Sequence, residues 1–304
     1  MLAGGFVLPG LPNGIRRLMT AQLPDPPSAH DIGNDVARAL AEDLGNGDVT
    51  AALLPAGAIA MARVITREDA VICGRAWFEA CFHALDPACV IDWQLRDGEP
   101  ATAGRTLCAI RGNARAVLSA ERCALNFLQS LSATATTTAQ HVAAVRGTRA
   151  IILDTRKTIP GLRLAQKYAV RCGGGQNHRI GLFDAILIKE NHIAAAGSLT
   201  AAVRSARAQN PTLFLEVEVE NFAELEEALA TGAVDRIMLD EFSLDDMRSA
   251  VALVAGRVAL EASGGVDLAG LRAVAETGVD YISIGALTKH VRAIDLSLRI
   301  EAIA

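Results

Sequence analysis

From residue 150 onward, short apolar runs rich in β-branched residues alternate with helix-like segments, and the later units keep a nearly constant pitch. The runs cover 151–153, 185–188, 213–219, 236–239, 258–262 and 281–284. Glu218, Asp240, Ser263 and Gly285 close the last four, spaced by 22 or 23 residues. A tight hairpin cannot return a strand in the same direction, so this alternation means parallel strands joined by right-handed helical crossovers. Helix signals agree: Ser198 and Ser243 stand at N-cap positions, Gly232 closes "FAELEEALATG", and a helix is predicted from Asp267 to Gly278. The choice lies between a (β/α) barrel and an open doubly wound sheet. Every run ends in a polar, charged or glycine-rich group, as expected where all strands supply one face of a barrel. Six units fall short of the usual eight, so the barrel is predicted to be incomplete.

The first half lacks that pitch. "DIGNDVARALAEDLG" reads as a helix, and "AMARVITREDAVICG" and "RTLCAIRGNARAVLSA" contain strands. A long helix, capped by Ser119 and stopped by Gly147, leads into the barrel. This pattern predicts an N-terminal extension over 1–28, a mixed α/β domain over 29–130, and a catalytic barrel over 131–287. An amphipathic C-terminal helix over 288–304 is expected to pack back on the first domain. The extension places its arginines after its apolar stretch, the wrong order for a secretory signal, and Pro24, Pro26 and Pro27 mark it as a loose arm. No apolar run is long enough to span a membrane.

Charge narrows the ligand. The chain carries a net −5, yet 154–192 holds seven Lys/Arg against three Asp/Glu, a local +4. An acidic chain is a poor partner for nucleic acid, so a small anion is the expected ligand. Six cysteines (73, 81, 89, 108, 123 and 172) have no disulfide-framework or zinc spacing. They are expected to be core residues in a reducing compartment, the cytoplasm.

Arg156 and Lys157 follow a buried strand directly, where a guanidinium fork and an ammonium would seize a carboxylate or phosphate. The competing reading is a loop whose cations pair with surface acids. The glycines of "GGGQNHR" would let backbone N–H groups approach an anion. Lys189 has three readings: a structural ion pair, a Schiff-base lysine, or a phosphate ligand. Glu218 and Asp240 end neighbouring strands. They suit a Mg²⁺ site completed by phosphate oxygens, or else neutralise Lys189 and Arg156. "EASGGV" and "ISIGALT" offer glycine loops where barrel folds bind phosphate.

These segments, with "SAERCALNFLQSLSATAT", "DTRKTIPGLRLAQKYAVRCGGGQNHRIGLFDAILIKENHI", "EVEVEN" and "IMLDEF", closely resemble the quinolinate phosphoribosyltransferases. The resemblance implies an α/β fold, with an N-terminal α/β sandwich followed by an incomplete barrel of six βα units. It implies phosphoribosyl transfer from phosphoribosyl pyrophosphate to quinolinate, with loss of CO₂. By motif, Arg122, Arg156, His178 and Arg179 would hold the two quinolinate carboxylates. Lys157 and Lys189 would hold the phosphates, and Glu218 and Asp240 the ribose hydroxyls and Mg²⁺. Ser263, Gly264, Gly265, Gly285 and Ala286 would cradle the phosphate end, with Thr155 and Ile284 in the same binding set. Arg122 would reach the neighbouring subunit's site, making a homodimer the minimum active unit, open to further assembly. A nicotinate phosphoribosyltransferase-like reaction without decarboxylation, a Schiff-base aldolase and a non-enzymatic relative are the alternatives.

Overall fold

The computed structural model of the protein describes residues 24–304, so most of the extension expected over 1–28 lies outside the described residues. The chain divides into two compact units. The first runs to Ala139 and adds Cys172–Gly174 and Arg292–Ala304; the second takes Gln140–Arg171 and Gly175–Val291. The expected boundary at 130 falls inside one continuous helix, Ala114–Ala144, which hydrogen bonding along its length carries past that point.

The first unit begins with α1 (Ala29–Leu44). The Ser28 hydroxyl accepts the Asp31 N–H, and Ile32, Val36 and Leu40 form one buried stripe. Three strands follow, β1 (Ile59–Thr66), β3 (Val90–Trp93) and β5 (Thr106–Asn113). Between β1 and β3 come the short β2 (Ala70–Val71), which pairs with β4 (Pro100–Ala101), and helix α2 (Arg75–Leu85). The long helix α3 (Ala114–Ala144) starts five residues before Ser119. Asn113 Oδ1 accepts the first N–H groups, from Arg115 and Ala116, while Ser119 donates to Asp48 at 2.8 Å. The cap is therefore Asn113, and Ser119 is interior to the helix.

The C-terminal segment corrects a second expectation. Residues 296–303 form a strand, numbered β12 (Leu296–Ile303) in chain order, where a helix was predicted. It pairs antiparallel with β1, completing a four-stranded sheet in the order β12-β1-β5-β3. "LSLRIEAI" satisfies both helical and alternating patterns. The open edge of β1 decides between them, because its N–H and C=O groups need partners.

The second unit alternates as expected: β6 (Ile151–Leu153), α4 (Arg163–Cys172), β7 (Ile186–Ile188), α5 (Glu190–Ala196), α6 (Leu199–Gln209), β8 (Leu215–Val219), α7 (Phe222–Thr231), β9 (Arg236–Asp240), α8 (Leu244–Val254), β10 (Ala259–Ser263), α9 (Leu271–Ala275), β11 (Tyr281–Ser283) and α10 (Ala286–Lys289). Ser198 and Ser243 accept N–H groups at the starts of α6 and α8, and Gly232 closes α7. Only α9 is much shorter than predicted. The six strands form one parallel sheet, β6-β11-β10-β9-β8-β7, with β6 and β7 at opposite ends.

Strand alternation sorts the side chains. Leu215, Val217, Val219, Ile237, Leu239, Leu260, Ala262, Ile282 and Ile284 join the apolar core with the helices. Glu216, Glu218, Arg236, Met238, Glu261, Ser263, Tyr281 and Ser283 occupy the intervening positions, so the opposite face of the sheet is polar.

A chain ending at Asp295 loses β12 and leaves β1 as an open edge. We expect its thermal midpoint to fall by about 10 °C or more, with earlier aggregation, as read by calorimetry and light scattering.

Candidate active site

The turn after β6 is built on a buried ion pair. Asp154 is inaccessible to solvent, and Lys167 on α4 reaches it at 2.5 Å. Asn177 Nδ2 (2.6 Å) and the His178 N–H (2.9 Å) also donate to Asp154, while Lys167 donates to the His178 carbonyl at 2.9 Å. Burial pushes the carboxyl up and the ammonium down, and each partner pulls the other back. One carboxylate thus fixes the end of β6, helix α4 and the 176–179 loop.

On this frame a cavity of about 310 Å³ opens at the strand ends. Thr155, Arg156 and Lys157 line it after β6, with His178 and Arg179 from the loop. Lys189, Glu218 and Ser263 come from the ends of β7, β8 and β10. Eight predicted residues therefore meet in one place. Lys157 is held from behind: its N–H donates to Thr155 Oγ1 at 3.1 Å, and Thr288 Oγ1 donates to its carbonyl at 2.9 Å. Gly285 lies so close that an added Cβ would sit 2.8 Å from Lys157 Cδ.

The cations are unevenly satisfied. Lys189 forms an ion pair with Glu218, which opposes a Schiff-base role. No carboxylate lies within ion-pair distance of Arg156, Lys157 or Arg179 among the described residues. The Arg156 Nε is buried without a hydrogen-bond partner. Buried donors without acceptors are costly, so an anion is the natural complement. Burial, with Arg156 close by, pulls the Arg179 guanidinium down, and Glu216 partly offsets this. Burial pushes the Glu218 carboxyl up; Lys189 counteracts this, and the charge of Asp240 adds to it. Lys167, counted among the seven cations of 154–192, is consumed by Asp154.

Other expected residues do not line the cavity. Ile284 is buried in the apolar core because alternation turns Ser283, not Ile284, to the cavity; its N–H donates to the Leu153 carbonyl. Asp240, Gly264, Gly265, Gly285 and Ala286 are not among the lining residues, though Gly264 and Gly265 adopt positive φ of 99° and 50°. Arg122 belongs to α3 in the first unit. The triple glycine serves packing: a Cβ on Gly173 would lie 2.4 Å from the Ala135 carbonyl, and the Gly175 N–H donates to the Val170 carbonyl. His178 lines the cavity with its ring held by protein groups. Its Nδ1 accepts the Arg179 N–H at 2.8 Å, and its Nε2 lies 2.7 Å from Glu216, so both ring nitrogens face protein groups.

Leu187, Met238, Glu261 and Ser283 line the cavity without having been predicted. Their signal was present in period-two alternation: Glu261 shares a strand face with Ser263, and Met238 with Asp240.

The family model for the quinolinate phosphoribosyl transferase C-terminal domain matches residues 134–299, and that for the N-terminal domain matches 48–132. The chain belongs to the quinolinate phosphoribosyltransferase family. It is 44% identical over 273 residues to a carboxylating nicotinate-nucleotide pyrophosphorylase of Mycobacterium leprae, covering 86% of this chain and 95% of that protein. It is 40% identical over 298 residues to a mitochondrial decarboxylating quinolinate phosphoribosyltransferase of Nicotiana tabacum, covering 90% and 84%. A solved nicotinate-nucleotide pyrophosphorylase of Francisella tularensis superposes with a TM-score of 0.89 at 47% identity, covering 93% of this chain and all of that one. The family's two-domain architecture is the one described above, a small antiparallel-sheet unit and a six-stranded parallel one.

Replacing Lys167 by Met strands Asp154 as an unpaired buried charge. We expect a loss of about 3–5 kcal/mol in urea denaturation, beyond what the lost methylene contacts explain.

Proposed function

We propose that this chain transfers phosphoribosyl from phosphoribosyl pyrophosphate to quinolinate, releasing pyrophosphate and CO₂ and leaving nicotinate mononucleotide for NAD synthesis. The observation that carries this reading is the single cavity holding Arg156, Lys157 and Arg179 without carboxylate partners beside the paired Lys189 and Glu218. A dicarboxylate needs more than one cation, which favours quinolinate over a monocarboxylate such as nicotinate. Arg156 and Arg179 hold the carboxylates and orient the ring. Lys157 and Lys189 hold phosphate oxygens, and the loops of Ser263–Gly265 and Gly285–Ala286 receive the phosphate end.

The chemistry follows the charges. Breaking the ribose–pyrophosphate bond builds positive charge on the ribose, which Glu218 and Asp240 tolerate, and negative charge on the leaving group, which the lysines stabilise. Once its nitrogen carries ribose, the pyridinium ring stabilises the electron pair left at carbon as the adjacent carboxylate departs.

Mg²⁺ fits the donor set. Burial pushes the Glu218 carboxyl up and the charge of Asp240 adds to it, so a divalent cation held by these two carboxylates would relieve both. Glu218 and Asp240 would hold the ion, which would supply positive charge to offset that of the departing pyrophosphate. Six free, buried cysteines suit a reducing compartment, the cytoplasm. Among the described residues, no helix is long and apolar enough to cross a membrane.

Release of CO₂ from quinolinate, dependent on phosphoribosyl pyrophosphate and Mg²⁺, tests the activity. Pyrophosphate release with nicotinate but not quinolinate as the phosphoribosyl acceptor, or no CO₂ release at all, sinks it. In the active enzyme, Arg156→Lys should lower kcat/KM for quinolinate by about a hundredfold, because a flexible point charge replaces a planar fork.

Arg122 completes the site from a partner subunit in this reading. Arg122→Ala and Lys189→Ala, each nearly inactive, should regain about a quarter of wild-type activity after subunit exchange, since half the dimers then carry one intact site. Exchange without recovery excludes the shared site.

A further inference from the structure

Beneath the cavity lies a charge cluster that the proposed reaction does not use. Glu216 on β8, Arg236 on β9 and Glu261 on β10 are buried side by side, with His178 against them. Arg236 is committed to Glu216: its Nε and Nη2 donate to the two carboxylate oxygens at 2.7 and 3.0 Å. The guanidinium is also stacked between the rings of Phe214 and Tyr281, at 5.1 and 4.9 Å, which fixes its plane.

Glu261 receives no such bond. It is wholly inaccessible, and although Arg236 Nε lies 3.1 Å from one of its oxygens, that N–H points to Glu216. Neither Glu261 oxygen has a partner in good hydrogen-bond geometry, although the Ser283 hydroxyl on β11 is close enough to draw on it. The groups facing it are Glu216, Arg236, His178 in the loop after α4, and Tyr281 and Ser283 on β11. One guanidinium cannot neutralise two buried carboxylates, and an anion with no donor would be very costly there. As a carboxylic acid, Glu261 becomes a donor, and Glu216 is the acceptor beside it. Burial and then the neighbouring Glu216 push the Glu261 carboxyl well up, outweighing the opposite pull of Arg236 and Ser283. His178, Glu216 and Glu261 also place potential metal ligands within 4.8 Å of one another. A metal ion would have to displace the guanidinium that already occupies Glu216, so the cluster is better read as a proton site.

We propose that Glu261 is a positioning residue held in the uncharged acid form, sharing its proton with Glu216 and thereby keeping Glu216 on Arg236 and away from Arg179. The consequence concerns dicarboxylate recognition, and so rests on the proposed function. Glu216 is close enough to Arg179 to bias its charge. A Glu216 free to turn would compete with the substrate for that guanidinium. An ionised Glu261 would add a negative charge under a site meant for a dianion. The acid form removes both problems and leaves Arg156 and Arg179 available.

The protonation state is tested without substrate. Between the unfolded and folded values of a raised acid, the native chain keeps a proton that the unfolded chain has released, so stability falls as pH rises. Glu261→Gln lacks this loss. As pH rises above the range of an unfolded carboxyl, the ratio of unfolding constants, wild type over Glu261→Gln, should grow by up to about tenfold per pH unit. A flat ratio means Glu261 is ionised and overturns the proposal. If that variant does not fold, infrared spectra of the wild type at pH 8 decide: the carbonyl stretch of a buried protonated carboxylic acid supports it, and absence of the band overturns it.

The positioning role is read with phthalate, a dicarboxylate that cannot react. Calorimetry should show binding weakened about tenfold in Glu261→Ala and largely rescued in Glu261→Gln, with the KM for phosphoribosyl pyrophosphate unmoved in both. Equal loss in the two variants, or no loss in Glu261→Ala, overturns the role. A wild type that neither binds phthalate nor releases CO₂ would instead overturn the proposed function, while the unfolding ratio would still report on Glu261.

Discussion

The pairing of Asp154 with Lys167 is the contact on which the site depends. Asp154 accepts three hydrogen bonds, from the Lys167 ammonium, the Asn177 amide and the His178 backbone. Those donors come from a helix and from the loop that follows it, so one side chain sets the height of the loop against the end of β6. Arg156 and Lys157 follow Asp154 directly, and Arg179 follows His178. The cations that face the cavity are thus placed by a charge pair that never touches it. The pair is costly to bury, and the three donors are what make it tolerable.

The polar face of the parallel sheet carries its charges at two levels. At the strand ends, Lys189 meets Glu218 and the unpaired cations look into the cavity. One pair of residues earlier along the strands, Glu216, Arg236 and Glu261 form a closed group. The spacing is that of the pleat, so the same alternation that sends Leu215, Val217 and Val219 to the apolar core sends Glu216 and Glu218 to the other side. The upper level leaves cations unsatisfied, as ligand binding requires. The lower level commits Arg236 to Glu216 and leaves Glu261 without a partner in good hydrogen-bond geometry.

Much of this was legible in the chain. The alternation of strands and crossover helices, at a pitch of 22 or 23 residues from Glu218 onward, located the strands and the ends that carry Lys189, Glu218, Asp240 and Ser263. The C-terminal segment was misread because its apolar residues fit two periods, and only the unfilled edge of β1 distinguishes them. The glycines after Cys172 suggested anion binding by composition; the proximity of Ala135 and Thr138 to Gly173 gives them a packing role. Ile284 was grouped with its neighbours by motif, although strand alternation turns it into the core.

Sequence by itself determined the parallel βα order, the strand ends and the family, because periodicity, caps and long motifs are local properties of the chain. It also fixed which cations stand near the site in number. Tertiary structure alone decided which of those cations are free. Lys167 and Arg156 are equally basic in the sequence, yet one is consumed by a buried carboxylate and the other has a buried Nε with no acceptor. Glu216 and Glu261 are likewise two glutamates until Arg236 sits against them and its N–H groups choose one. Charge and residue type are written in the chain, but desolvation and hydrogen-bond direction arise only when distant segments are brought together.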